Sequence, residues 1–202
     1  MSLTSISGYA EEAPALLVRY EARDFAEVHR SILHLLPPTP ARVLDIGAGT
    51  GRDAAAHAAL GYRVVAAEPV AAMREGGQAL HPSPAIRWVA DELPDLADVR
   101  ALGERFDLIM LTAVWMHLDA GERAAGMASL AGLLADEGVL AFSLRHGPVP
   151  AGRRMFEVTA DETIALAAEH GLDCVLNVRD PSLDGPNIVA GVDWTRLVFR
   201  RV

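Results

Sequence analysis

Three glycines fall within five residues at Gly47-Ala48-Gly49-Thr50-Gly51, between the apolar run Val43-Leu44-Asp45-Ile46 and an alanine-rich stretch over residues 52–60. Glycine turns sharply and lets a backbone approach its neighbours closely, because no Cβ intervenes. In this setting the cluster predicts a strand, a tight turn and a helix, with Gly61 as the helix stop. Further apolar runs occupy residues 62–67, 86–90, 107–111 and 139–144. They are continuous rather than alternating, which is the pattern of strands buried on both faces of a parallel sheet. Helices are expected between them, over residues 70–80 after Pro69 and from an Asp119 cap to about Leu134. Strands alternating with helices imply right-handed crossovers and a doubly wound sheet over roughly residues 40–145.

The flanks add to this sheet. Residues 9–36 carry a helical period (Leu16, Leu17, Tyr20, Phe25, Val28, Ile32, Leu33, Leu36) that Pro37, Pro38 and Pro40 end. Beyond residue 145 a helix over 161–170 stops at Gly171. A strand near 173–178, a Pro/Gly loop at 181–191 and a strand near 195–200 follow. Two strands joined by a loop after the last helix predict an antiparallel pair at the sheet edge. The expected fold is therefore α/β, with seven strands, mostly parallel with an antiparallel edge strand, and helices on both faces. One domain is expected over 1–202, divided into an N-terminal helical segment (1–38), a core (39–145), and a C-terminal helix with edge strands (146–202). With 51% hydrophobic residues, a chain of 202 residues can bury a core of that size.

Composition removes several classes. A lone Cys174 excludes a disulfide scaffold and fits a reducing, cytoplasmic setting. A net charge of −9 weighs against nucleic acid as the main ligand. No apolar run approaches the roughly 18–20 residues of a membrane span, and the start lacks a secretory layout. No tight His/Cys/Asp cluster has metal-ligand spacing, so no metal is expected.

The strand ends carry the chemistry. Asp45, Glu68 before Pro69, Asp91 after Ala90, and Thr112 followed by Trp115-Met116-His117 all stand at carboxyl ends of strands. There open α/β sheets bind ligands, and an acid about 20 residues past the first glycine can accept both hydroxyls of a ribose. The glycines at 47, 49 and 51 put the third one residue early for a nicotinamide or flavin dinucleotide, and no Tyr-x-x-x-Lys pair occurs.

Asp45-x-Gly-x-Gly-x-Gly, Gly51-Arg52-Asp53 and Phe106-Asp107-Leu108-Ile109, in this order, resemble the class I S-adenosylmethionine-dependent methyltransferases of the small-molecule type. The resemblance covers about residues 40–145 and is looser over the flanks. It implies a Rossmann-like fold with S-adenosylmethionine as cofactor. The backbone of Gly47, Ala48, Gly49 and Gly51 is then expected around its methionine end, with Asp45 at the amino group. Glu68, with Pro69, is expected at the ribose hydroxyls. Met73 is expected near the adenine, Ala90 and Asp91 at the adenine edge, and Thr112 on the methionine side. The N-terminal segment, with Tyr9, Arg19 and Tyr20, is expected to cover the cofactor site.

Several of these residues have a plainer reading as well. Glu68 reads also as a solvated strand end, Met73 as core filler and Asp91 as a helix cap. His117 is the candidate general base, since a neutral imidazole accepts a proton near physiological pH. It reads equally as a packing residue beside the helix at 119. Trp115 reads as an acceptor-pocket wall or as core. Arg145, His146, Arg153 and Arg154 read as contacts for an acidic substrate or as solvated turns. The missing Asn-Pro-Pro-Tyr motif and the absence of a basic domain point to a small-molecule acceptor, not to nucleic acid. Two alternatives remain: a non-catalytic module binding S-adenosylmethionine or S-adenosylhomocysteine, and an NAD(P)-dependent oxidoreductase.

Overall fold

In the computed structural model the apolar runs become β1 (Arg42–Ile46), β2 (Arg63–Ala67), β3 (Ile86–Val89), β4 (Phe106–Thr112) and β5 (Leu134–His146). The structure describes residue 4 and residues 6–201; residues 1–3, 5 and 202 of the expected single domain lie outside it. All five strands run parallel, with Val43 in register with Val64 on one side and Leu108 on the other. Their continuous hydrophobicity has a direct cause, because both faces are covered. Leu44, Ile46, Ile109 and Leu111 pack on one side with Met127 and Leu130 of α6 (Ala120–Leu133). Val43, Val64, Leu108 and Met110 pack on the other with Ala54 of α3 (Arg52–Ala59). Asp45 lies two residues from Val43 and so shares that second face.

The sheet order is β3-β2-β1-β4-β5-β7-β6, where β6 is Leu172–Pro181 and β7 is Asp193–Arg201. The expected antiparallel pair forms that edge, with β7 inserted between β5 and β6 and antiparallel to both. The order reverses between β1 and β4, which opens a crevice at their carboxyl ends.

Local differences from the sequence reading have local causes. Asp136-Glu137-Gly138, between the expected helix to about Leu134 and the expected strand at 139–144, lies within β5, in the irregularity between the pairs Phe106–Leu134 and Leu108–Val139. The N-terminal period is split into α1 (Tyr9–Glu21), α2 (Phe25–Val28) and a single 3-10 turn at Leu33–Leu35. Asp24 starts α2 by accepting from the Glu27 amide at 3.1 Å. Two short helices were not anticipated, α5 (Ala97–Ala101) and α8 (Gly185–Val189), the latter inside the expected loop. The helix after residue 160 is α7 (Ala160–Ala168).

Gly76 and Gly77, which weaken the middle of α4 (Ala71–Leu80), are there for close packing. A Cβ on Gly76 would stand 2.6 Å from Leu17 of α1, and one on Gly77 would stand 2.5 Å from Trp88. α1 thus lies tightly on α4, sharing a small core of Ala13, Leu16, Val70 and Met73. No helix among the described residues is long and apolar enough to cross a membrane.

Candidate functional site

A cavity of about 350 Å³ opens at the crevice, within the size range of small-molecule sites. Asp45, Gly47, Ala48, Gly49, Glu68, Pro69, Met73, Thr112 and His117 all line it. Tyr9, Arg19 and Tyr20 line it from α1, so the N-terminal segment does border the crevice.

The glycine loop is tied to the neighbouring strand. The amides of Gly47 and Ala48 donate to Ala67 O at 2.8 and 3.1 Å. Gly47 has φ +65°, and a Cβ there would stand 2.5 Å from Val114 Cγ2. Glu68 is 5% exposed, and its two carboxylate oxygens accept from the Gly49 amide at 2.8 Å and the Val70 amide at 2.9 Å. Burial raises its pKa above the ordinary value, and the two amides pull against that rise. Each oxygen keeps a lone pair for a further donor.

Two acids lie under the loop. Asp45 is 2% exposed, and its Oδ2 has no hydrogen-bond partner among the described residues. Desolvation, reinforced by the neighbouring Asp53, holds its pKa well above the usual carboxylate range. Asp53 is held the other way. It accepts from His29 Nε2 at 2.8 Å, from Arg52 at 2.7 and 2.8 Å, and from Thr112 Oγ1 at 3.0 Å. Although burial opposes ionisation, His29 and Arg52 hold its carboxyl far below the ordinary value. The sequence reading left Asp53 without a role and did not pick out His29. Their link spans 24 residues and two helices, so no local spacing announces it.

Three of the expected site residues do not border the cavity. Gly51 does not line it; at φ +80° it precedes α3, and a Cβ there would stand 2.7 Å from Trp88. Its role is close helix–strand packing. Ala90 and Asp91 do not line it either, and Glu92 and Leu93 do. The Asp91 carboxylate turns to its own downstream backbone, accepting from the Glu92 and Val99 amides, each at 2.9 Å. A short acidic side chain at a strand end readily takes such local amides. Trp115 is fully buried, packed edge-on against Phe142 at 4.9 Å, and belongs to the core.

His117 ends a short 3-10 turn after β4 and is buried. Its Nδ1 lies 2.8 Å from Arg154 O and its Nε2 lies 3.0 Å from the Tyr9 hydroxyl. A carbonyl only accepts, so Nδ1 carries the hydrogen and Nε2 receives the one from Tyr9. Burial, with the nearby Arg153, Arg145 and Arg154 charges, lowers the imidazole pKa below 6.5, although the Arg154 carbonyl opposes this. Arg153 lines the cavity, stacks over Tyr9 at 4.0 Å and pairs with Glu12 at 2.9 Å. Arg154 pairs with Asp119 and Glu122, and His146 bonds Thr195 Oγ1 at 2.8 Å; neither lines the cavity. Among the described residues no group of three His, Cys, Asp or Glu is placed to hold a metal ion.

Comparison with known proteins bears on the family and the fold. A search of curated proteins found no match. Among solved structures, the chain resembles Burkholderia thailandensis 1,6-didemethyltoxoflavin-N1-methyltransferase, solved with 1,6-didemethyltoxoflavin and S-adenosylhomocysteine. Identity is 24%, coverage 96% of this chain and 90% of that one, and the TM-score 0.71. It also resembles a TehB-like SAM-dependent methyltransferase from Corynebacterium glutamicum, at 22% identity, 94% and 100% coverage and a TM-score of 0.65. Magnesium protoporphyrin IX methyltransferase from Synechocystis, solved with SAM, matches at 14% identity, 96% and 85% coverage and a TM-score of 0.67. These likenesses establish a Rossmann-like methyltransferase fold. The family model described as a methyltransferase domain matches residues 19–177, and the chain accordingly belongs to the methyltransferase domain family.

Proposed function

We propose that this methyltransferase takes its methyl group from S-adenosylmethionine and passes it to a small-molecule acceptor in the cytoplasm. The observation that carries the reading is the buried, unpartnered Asp45 Oδ2 beside a glycine loop anchored by Glu68. A buried acceptor without a donor is destabilising, and a ligand ammonium would satisfy it. The Glu68 oxygens are free to accept two sugar hydroxyls, and Met73 and Pro69 offer apolar surface to a base. The residues present therefore fit the group. When bound, it supplies an electrophilic methyl on a sulfonium and departs as a neutral thioether.

The chain supplies alignment, exclusion of water and a route for one proton. Residues 1–38 act as the cover, through the α1 residues that border the crevice. A proton leaving an O–H or N–H acceptor passes to Tyr9 Oη as the Tyr9 hydrogen moves to His117 Nε2. The imidazole ends protonated and Tyr9 neutral. The neighbours solved with S-adenosylhomocysteine or SAM support the cofactor assignment, and the toxoflavin-type ligand of one supports a small acceptor.

Calorimetric titration with S-adenosylhomocysteine tests the reading. Saturable binding at one site per chain is expected, and its absence would end the assignment. Because burial lowers the His117 pKa below 6.5, the imidazole is neutral at pH 7 and becomes disabled only as pH falls through that lowered value. The acid limb of kcat/KM should therefore have its midpoint below 6.5. A midpoint at or above that value, or a limb that survives His117→Gln, removes His117 from the proton route.

A further inference from the structure

The arginines lining the cavity are not alike. Seven of them do so, and six stand in ion-pair contact with a carboxylate. Arg19 and Arg23 meet Asp184, Arg30 and Arg196 meet Asp180, Arg52 meets Asp53, and Arg153 meets Glu12. Arg145, at the carboxyl end of β5, meets no carboxylate among the described residues. Only its Nη1 is engaged, by the backbone carbonyls of Gly147 at 3.4 Å and Pro148 at 2.8 Å. Its Nε and Nη2 donors have no partner among the described residues. A partly buried guanidinium is normally matched by an anion, since desolvation penalises a lone charge. Here desolvation lowers the Arg145 pKa, and Arg19 adds to the lowering.

The surroundings define the kind of anion this guanidinium would take. Arg145 lies near enough to His117 and Tyr9 to act on both electrostatically. Across the β5–β7 ladder it stands directly opposite Trp194, so the two side chains share one face of the sheet. Trp194, Met155 and Met116 also line the cavity and add apolar surface, and Arg145 alone among the seven lining arginines stands in no ion-pair contact. Guanidinium groups recognise carboxylates through paired N–H donors, and two donors remain available here.

We propose that the methyl acceptor is a small organic acid with a flat apolar body, its anionic group held by Arg145 and its body against Trp194. This rests on the methyltransferase reading above and adds the chemical class of the acceptor. Arg145 is then the residue that selects acids over neutral compounds of the same shape.

The test uses the full chain saturated with S-adenosylhomocysteine. Benzoate, 4-hydroxybenzoate, cinnamate and indole-3-acetate are each titrated calorimetrically beside their primary amides, which keep the shape and lose the charge. At least one acid should bind about tenfold or more tighter than its amide, the scale expected for one charged hydrogen-bonded contact. Arg145→Gln should abolish that preference, and Arg145→Lys should retain part of it. Acids that bind no better than amides, no binding by any pair, or a preference that survives Arg145→Gln would overturn the proposal. Failure of S-adenosylhomocysteine itself to bind would instead remove the cofactor assignment, so the two failures are distinguishable.

Discussion

Glu68→Ala is expected to weaken S-adenosylhomocysteine binding by about 100-fold or more while the chain still folds. Glu68 has two duties. Its oxygens fix the Gly49 and Val70 amides, and in the proposed function they also accept two ribose hydroxyls. Hydrogen bonds involving a charged partner contribute about 1.5–3 kcal/mol each, so losing two such bonds removes about two orders of magnitude in affinity or more. The freed Gly49 and Val70 amides add a stability loss of about 1–3 kcal/mol for each one that water cannot reach. Glu68→Gln retains one acceptor oxygen and should fall between the native chain and the alanine variant. Calorimetry at pH 7 gives the affinities and thermal unfolding gives the stability. An alanine variant within tenfold of the native affinity would show that Glu68 braces the loop without touching the ligand.

Asp53→Asn is expected to give the largest loss of stability, about 3–5 kcal/mol at pH 7, because it breaks a buried ion pair from one side. The native carboxylate answers His29, Arg52 and Thr112 at once, and the amide cannot match those donors. The pH dependence has a definite sign. The folded pKa of Asp53 is depressed by His29 and Arg52. Its stabilising contribution is therefore fully present above the unfolded carboxylate value of 3.8 and is lost as pH falls through the folded value. Urea unfolding at pH 7 measures the difference. A loss under about 1 kcal/mol would mean that the cluster is no better than an exposed ion pair. The same substitution should lower the Asp45 pKa, since the Asp53 charge is one of the causes that raise it.

How much of this was legible beforehand depends on the range of the interaction. The five parallel strands were legible because burial on both faces writes an unbroken apolar run. The glycine loop and Glu68 were legible because a turn and a strand-end acid are short-range features. Asp91 shows the limit. Asp91 and Glu92 are adjacent acids at one strand end, but Asp91 accepts from the Glu92 and Val99 amides while Glu92 borders the cavity. The resemblance placed Gly51 in the cofactor loop, and nothing in the sequence showed that a Cβ there would meet Trp88. The helical period predicted α1, but only tertiary packing, through Gly76 and Leu17, shows where it lies. The isolation of Arg145 lies beyond sequence reasoning, because it appears only once each of the other arginines that line the cavity has been traced to its carboxylate.

The placement of β7 has a consequence for assembly. β6 precedes β7 in the chain, yet its ladder partner is β7, which alone connects it to β5. Until residues 193–201 arrive, β6 has no docking rail, and β5 carries a raw margin of unpaired amides and carbonyls. Such a margin invites pairing with foreign strands. A nascent chain is therefore most exposed to aggregation between the synthesis of β5 and that of β7. Shortening the chain into β7 would strip two strands from the sheet at a single stroke.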